Sequence, residues 1–220
     1  MTESASTSPH LTVYAVDDEP LIRRQYELLF QIVGIPCKTF LSGQDFLSYY
    51  RDHAPELAGC LLLDYQMPGF DGLTLFQRLQ EKGCLLPALM VTAAGTIPIA
   101  VEATRSGIFA FLEKPCDNMK LVERVREGFD AYLKIRQTED QRRALQGRID
   151  SLTPKERETF ELLLQDLPTK IIADRMGISE RTAEKHRQAV FDKLEVKTLL
   201  ELAELARRCG FVVKAMEARP

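Results

Sequence analysis

Residues 12–20 read Thr-Val-Tyr-Ala-Val-Asp-Asp-Glu-Pro, an apolar run that ends in an acid pair and a proline. A short run of this kind has the composition of a β-strand, and the proline suits the first turn of a helix. The same order returns three times: Cys60-Leu61-Leu62-Leu63 ends in Asp64, Leu86-Pro87-Ala88-Leu89-Met90-Val91 in Thr92, and Phe109-Ala110-Phe111-Leu112-Glu113 in Lys114-Pro115. Each is followed by a helix-like segment. Apolar runs alternating with helices imply a doubly wound α/β fold whose parallel sheet is buried on both faces. In such a sheet the carboxyl ends of the strands share one edge, so Asp17, Asp18, Asp64, Thr92 and Lys114 meet where ligands bind. Carboxylates gathered in one place repel unless a cation sits among them, and hard oxygen donors with room for water suit Mg2+.

Each part has a blander meaning. A single Asp-Asp after a strand more often marks a helix N-terminus, where carboxylates suit the dipole, and a lone Lys-Pro is usually a turn. Specificity comes from all four in order on successive strand ends. Strands are predicted near 12–16, 36–40, 60–64, 87–91 and 109–112. Helices are predicted near 20–33, 43–51, 72–82 and 98–106, and from 118 onward, giving a (βα)5 unit. Gly34, Gly83 and Gly107 fall where helices stop, Pro20 and Pro98 where they start.

The segments VDDEP, DYQMPGFDG, VTAAG and EKP resemble the receiver domain of two-component response regulators, over roughly the first 120 to 130 residues. That resemblance implies Asp64 as the phosphoryl acceptor. It implies Mg2+ held by Asp18, Asp64 and the Gln66 backbone carbonyl, with Asp17 acting mainly through a metal-bound water. Lys114 would neutralise phosphoryl charge, and the family has a cis peptide between Lys114 and Pro115. Thr92 would donate its hydroxyl to a phosphoryl oxygen and move inward together with Phe111, the aromatic switch, although Phe111 also reads as a core residue. The face containing Pro98, Val101, Arg105 and Phe111 would then favour a homodimer when phosphorylated. Gln66 and Ala94, each two residues beyond a reactive group, flank the path of water, and the small Ala93 leaves access for a phosphodonor. The donor would be a sensor histidine kinase, its specificity lying on the first helix near Leu21, Arg24 and Leu28.

Composition sets outer limits. The chain has 220 residues, 45% hydrophobic and 28% charged, which is globular and enough for two small domains. No apolar run approaches the ~18 residues of a membrane span, and the first ten residues lack the regions of a signal peptide, so no membrane contact and a cytoplasmic location are expected. Cys37, Cys60, Cys84, Cys116 and Cys209 are scattered and without a C-x-x-C pair, which argues against a disulfide framework or a zinc site. Residues 1–118 carry 14 acidic and 8 basic side chains (net −6), residues 119–150 carry 6 and 8 (net +2), and residues 151–220 carry 12 and 13 (net +1). The acidity belongs to the N-terminal part, so the overall charge of −3 does not decide for or against nucleic acid.

From Asn118 an apolar pattern (Leu121, Val122, Val125, Phe129, Tyr132, Leu133) fades into RQTEDQRR and resumes at Leu145, Ile149 and Leu152, which reads as a solvated helical spacer. Thr153-Pro154 with Glu156 makes a capping box. Four helices are predicted near 154–165, 169–176, 180–194 and 198–208. The middle pair, with Met176-Gly177-Ile178-Ser179 between, has the form of a helix-turn-helix capped by Ser179. This all-α segment resembles the LuxR-type DNA-binding domain, and the whole chain resembles a FixJ-type regulator of the NarL/FixJ group. Ala183, Val190, Phe191 and Leu194 are expected to pack on Ile171, Ile172, Leu162 and Leu163. Arg181, Glu184, Lys185 and Gln188 are free to enter a major groove, where Lys and Gln can read guanine and adenine edges and Glu can accept from cytosine. Thr169, Lys170, Thr182, His186, Arg187 and Lys197 suit phosphate contacts or local packing. Leu199, Leu202, Leu205 and Ala206 of the final helix are expected to form a protein–protein surface. Two departures from the family stand out: its frequent Gly-x-x-Asn-Lys is Asp166-Leu167-Pro168-Thr169-Lys170, and its usual Thr-Val is Thr182-Ala183.

The expected organisation is a disordered N-terminus (1–10), a receiver (11–130), a helical linker (131–150) and a helix-turn-helix domain (151–215). The expected protein is not an enzyme. It is a regulator that binds double-stranded DNA with inverted half-sites, RNA polymerase being a candidate further contact. An aspartyl-phosphate phosphatase generally has a second Asp two residues after the first, where this chain has Gln66. A small-molecule-sensing LuxR-type regulator has no use for the acid pocket, and a bare phosphorelay module lacks the helix-turn-helix.

Overall fold

The computed structural model describes residues 10–93, 101 and 104–211. The chain divides into two compact units, Met1–Arg136 and Gln137–Pro220.

In the first unit, strands β1 (Thr12–Val16), β2 (Cys37–Phe40), β3 (Gly59–Leu63), β4 (Ala88–Thr92) and β5 (Ala110–Glu113) form one sheet in the order β2-β1-β3-β4-β5. All the pairings are parallel. Every residue of β3 and β4 is buried, as expected for strands covered on both faces. Alternation sorts the side chains. Tyr14, Val16, Leu61, Leu63 and Met90 pack with Phe46, Leu75 and Leu79 from α2 (Gly43–His53) and α3 (Gly72–Glu81). Val13, Ala15, Leu62, Leu89 and Val91 pack with Phe30 of α1 (Pro20–Ile32) and with Leu121 and Val125 of α4 (Asn118–Asp150). Each fully buried Val, Leu, Phe or Met among them contributes roughly 1.5–3 kcal/mol, so the two layers fix the register of the strand ends. Val101, Thr104 and Arg105 are helical. Ser106 lies in a turn, and residues 98–100, 102 and 103 of the predicted helix 98–106, Pro98 among them, lie outside the described residues, as do Ala94, the segment 1–9 and residues 212–215 of the predicted second domain.

The helix α4 runs unbroken through the polar stretch that separates its two apolar patterns. Pairs one turn apart hold it there: Glu139 lies 2.8 Å from Arg142 and 3.1 Å from Arg143, and the Arg142 hydrogen bond keeps the Glu139 carboxyl down at about 2. Its last turns are not spacer. Ile149 is fully buried in the core of the second unit, with Leu145 packed against it.

That second core is built by α5 (Pro154–Leu163), α6 (Thr169–Met176), α7 (Glu180–Leu194) and α8 (Leu199–Arg208). The predicted capping box is present, with Thr153 N–H donating to Glu156 Oε2 at 2.8 Å and Glu156 N–H to Thr153 Oγ1 at 3.4 Å. Ser179 caps α7 by accepting from Thr182 N–H at 3.2 Å. Two expectations are corrected. Ile171 stays exposed while Ile172 is buried, because Ile171 lies off the face that Ile172, Ala173 and Met176 turn to the core. Leu202, Leu205 and Ala206, expected at a protein–protein surface, are buried in their own domain's core, leaving Leu200 as the exposed large apolar residue of α8. Their spacing marks a buried face without saying what buries it.

Candidate phosphoryl site and DNA-binding face

The strand order changes direction between β1 and β3, and the crevice at such a switch point is where a doubly wound sheet binds its ligand. Asp17 follows β1, and Asp64 follows β3, its N–H donating to Val16 O at 2.9 Å. Lys114 follows β5, its backbone N–H donating to Thr92 O at 2.9 Å and its peptide with Pro115 cis. The Lys114 ammonium reaches 2.8 Å from Asp17 Oδ2 and 3.1 Å from Asp64 Oδ1. All three side chains are largely shielded from solvent, so their charges act at reduced dielectric. Asp17 also serves the blander role, its Oδ1 accepting from Glu19 N–H at 2.9 Å at the start of α1.

Burial pushes the Asp64 carboxyl above the usual carboxylate range; Lys114 opposes the shift, and the neighbouring Asp17 and Asp18 add to it. Burial works against the Lys114 ammonium too, but hydrogen bonding and charge from Asp17, then Asp64, outweigh it and hold the amine above its ordinary value. The pocket thus carries more negative charge than one lysine relieves. That is the electrostatic condition a divalent cation satisfies. Among the described residues no three Asp, Glu, His or Cys side chains form a metal cage. The donor set implied here needs none: Mg2+ is commonly held by one or two carboxylates with several waters kept, and a backbone carbonyl such as that of Gln66 adds a neutral ligand.

Thr92 is fully buried at the end of β4, and Phe111 is half-buried against the core. Met90 pairs with Phe111 and Thr92 with Glu113, so Thr92 and Phe111 lie on the same sheet face as diagonal neighbours on adjacent strands. The loop after Asp64 is anchored by residues that sequence reading did not single out. Phe70 covers Gly43, where a Cβ would come within 2.5 Å of its ring, and the Arg78 guanidinium lies 4.4 Å from the ring centre. A Cβ on Gly72 would stand 2.2 Å from the Asp64 carbonyl oxygen, so only glycine lets α3 begin so close to Asp64. Arg23 donates to the Asp17 carbonyl at 2.7 Å and fixes the β1–α1 turn. None of these contacts has a local spacing that would betray it.

On the recognition helix α7, Arg181, Lys185 and Gln188 are exposed, as are Lys170 on α6 and Lys197 after α7; Thr182 and His186 are half-buried. Glu184 is exposed but engaged, accepting from the Thr169 hydroxyl at 3.2 Å and lying 3.8 Å from Arg187. Lys193, near the other end of α7, pairs at 2.6 Å with the capping Glu156 and ties the recognition helix to the start of α5.

A buried acid–lysine pocket at the edge of a receiver-like sheet, joined in one chain to a helix-turn-helix, is the arrangement of a DNA-binding regulator switched by phosphorylation. The family description "Response regulator receiver domain" matches residues 13–126, and "Bacterial regulatory proteins, luxR family" matches residues 150–206. The transcriptional regulatory protein FixJ of Bradyrhizobium diazoefficiens is 33% identical over 201 residues, covering 91% of this chain and 96% of that protein. The C4-dicarboxylate transport transcriptional regulatory protein DctR of Rhodobacter capsulatus is 34% identical, covering 88% and 98%. Among solved structures, the response regulator StyR superposes with a TM-score of 0.70 at 33% identity, covering 90% of this chain and 99% of that one. Full-length FixJ from B. japonicum gives 0.54 at 32% identity, covering 92% and 98%. The chain belongs to the two-component response regulators of NarL/FixJ type, with a receiver in front and a LuxR-type DNA-binding domain behind, and its function is phosphorylation-dependent regulation of transcription.

Proposed function

We propose that Asp64 is the phosphoryl acceptor and that its phosphorylation drives dimerisation on DNA. The observation that carries this reading is the Lys114 ammonium placed between the buried Asp17 and Asp64. A phosphoryl group arriving on Asp64 finds that cation within reach of its oxygens. An Asp64 carboxylate oxygen bonds to phosphorus while the bond to a phosphohistidine nitrogen of the kinase breaks and returns its electron pair to the imidazole. Asp18, Asp64 and the Gln66 carbonyl are the proposed Mg2+ ligands, with Asp17 behind them. Bound Mg2+ supplies charge neutralisation on the phosphoryl oxygens. Thr92 then donates to one of those oxygens, and Phe111, on the same face, follows it inward.

The donor has a surface to use. Leu21, Leu28 and Ile32 form one stripe on the outside of α1, with Leu21 and Ile32 77% and 82% exposed. Beside the pocket, a groove of about 370 Å³ runs between α1 and the β5–α4 connection, lined by Ile22, Tyr26, Pro115 and Leu121. On the DNA side, Arg181, Lys185 and Gln188 are the proposed base readers, and Lys170, Thr182, His186 and Lys197 the proposed contacts to phosphates. Cytoplasmic residence and the absence of a turnover reaction belong to the same reading. Among the described residues, no helix is long and apolar enough to cross a membrane.

The test is to incubate the chain and its Asp64→Asn variant with acetyl phosphate and Mg2+, following mass, oligomeric state and binding to duplex DNA. Wild type is expected to gain one phosphoryl group, dimerise and bind DNA more tightly, and the variant to do none of these. Unchanged DNA binding after stoichiometric phosphorylation would defeat the switch.

A further inference from the structure

Glu184 is an acid on a helix face proposed to meet a polyanion, and its surroundings explain what it does there. At 100° per residue Arg181, Lys185 and Gln188 fall within about 60° of one another on α7, while Glu184 stands about 60° to the side of Arg181, toward α6. It leans onto the first residue of that helix. Thr169 Oγ1 donates to Glu184 Oε2 at 3.2 Å, Arg187 donates to Thr169 Oγ1 at 3.4 Å, and the Arg187 guanidinium lies 3.8 Å from the same carboxylate. The Arg187 guanidinium also lies over the Phe191 ring, 5.4 Å from its centre.

The start of α6 has no side-chain cap, since Pro168 stands at the N-cap. A helix start with free N–H groups favours an anion. The Glu184 carboxylate lies beside that start, engaged by the Thr169 hydroxyl and the Arg187 guanidinium. An acid so engaged has little freedom to accept from a cytosine edge.

We propose that Glu184 is an internal counter-anion of the DNA-binding face, holding Thr169 and Arg187 until a backbone phosphate displaces it, so that it sets affinity for DNA of any sequence and reads no base. The inference rests on the reading of Arg181, Lys185 and Gln188 as base readers. It can fail independently of that reading.

The test uses the phosphorylated full chain, a duplex of arbitrary sequence for affinity and a randomised duplex library for base preference. Glu184→Gln, which keeps an acceptor and drops the charge, is expected to tighten binding to the arbitrary duplex by roughly two- to fivefold and leave the library ranking unchanged. Thr169→Ala and Arg187→Ala should each abolish most of that gain, because they remove the groups that Glu184 releases. Glu184→Ala should resemble Glu184→Gln in ranking, and circular dichroism of all four variants checks the fold. Unchanged or weaker binding by Glu184→Gln, a gain that persists without Arg187 and Thr169, or a shift in preference at one base position would each overturn the proposal. Failure of the reader assignment looks different: Lys185→Ala would then lose affinity uniformly with no change in base preference.

Discussion

Asp64 shows the cost of a buried carboxylate most plainly. Its carboxyl is raised by burial, so the folded chain takes up a proton there more readily than the unfolded chain. A group raised in this way gives stability at low pH that is lost as pH rises through the carboxylate range. In EDTA at pH 7, Asp64→Asn is therefore expected to melt above wild type, and calorimetry should show the gap closing as pH falls. Mg2+ should reverse the order by stabilising wild type alone, since a ligand that binds only the folded state raises its melting point. A variant that melts below wild type at every pH would show that Asp64 is not a burdened carboxylate. Asp166 carries a different cost. It sits at φ 55° where the family frequently has glycine. A left-handed residue with a Cβ costs roughly 1–2 kcal/mol, less for Asp than for most, so Asp166→Gly is expected to stabilise the DNA-binding unit by about 0.5–1 kcal/mol in urea titrations.

The junction of β3 with α3 sets what Asp64, the proposed acceptor, can tolerate. Because a Cβ on Gly72 would press on the carbonyl of Asp64, Gly72→Ala has to displace either the helix start or the acceptor. The expected cost is about 1–3 kcal/mol of stability, with a loss of acetyl phosphate uptake larger than that destabilisation explains at temperatures where the variant is folded. Full uptake by the folded variant would show that the junction yields without moving Asp64. Elements of this kind divide into those legible in sequence and those hidden from it. Asp17, Asp64, Thr92 and Lys114 were legible because a parallel sheet brings every strand end to one edge, so order along the chain becomes adjacency in space. Phe70 on Gly43 and Arg23 on the Asp17 carbonyl were not, because the contacts are tertiary and neither follows a helical or strand period. The final helix misled for a related reason: an apolar stripe at Leu199, Leu202, Leu205 and Ala206 has the same spacing whether its own domain or a partner covers it. The polar stretch of α4 is the helix its sequence suggested, held by ion pairs such as Glu139 with Arg142 where apolar periodicity stops, but the burial of Ile149 in the second core was not legible there.

On the proposed function, the whole chain has to turn a negative charge into tighter binding of a polyanion. Residues 1–118 already carry a net −6, and a phosphoryl group adds about −1.5 to −2. Residues 151–220 carry only +1, so simple electrostatics makes the phosphorylated chain a poorer ligand for DNA, monomer for monomer. On the proposed reading the gain comes from coupling two copies, each holding one half-site, where the second contact forms at high effective concentration. This makes a sharp prediction. With half-sites selected from a random library, phosphorylation should improve affinity for an inverted pair by roughly a hundredfold or more and leave affinity for a single half-site unchanged or slightly weaker. Fluorescence anisotropy on the two duplexes, with sedimentation of the free protein under the same conditions, reads both terms. An equal gain on the single half-site would mean that the receiver masks the DNA-binding face before phosphorylation, and that release rather than dimerisation is the switch.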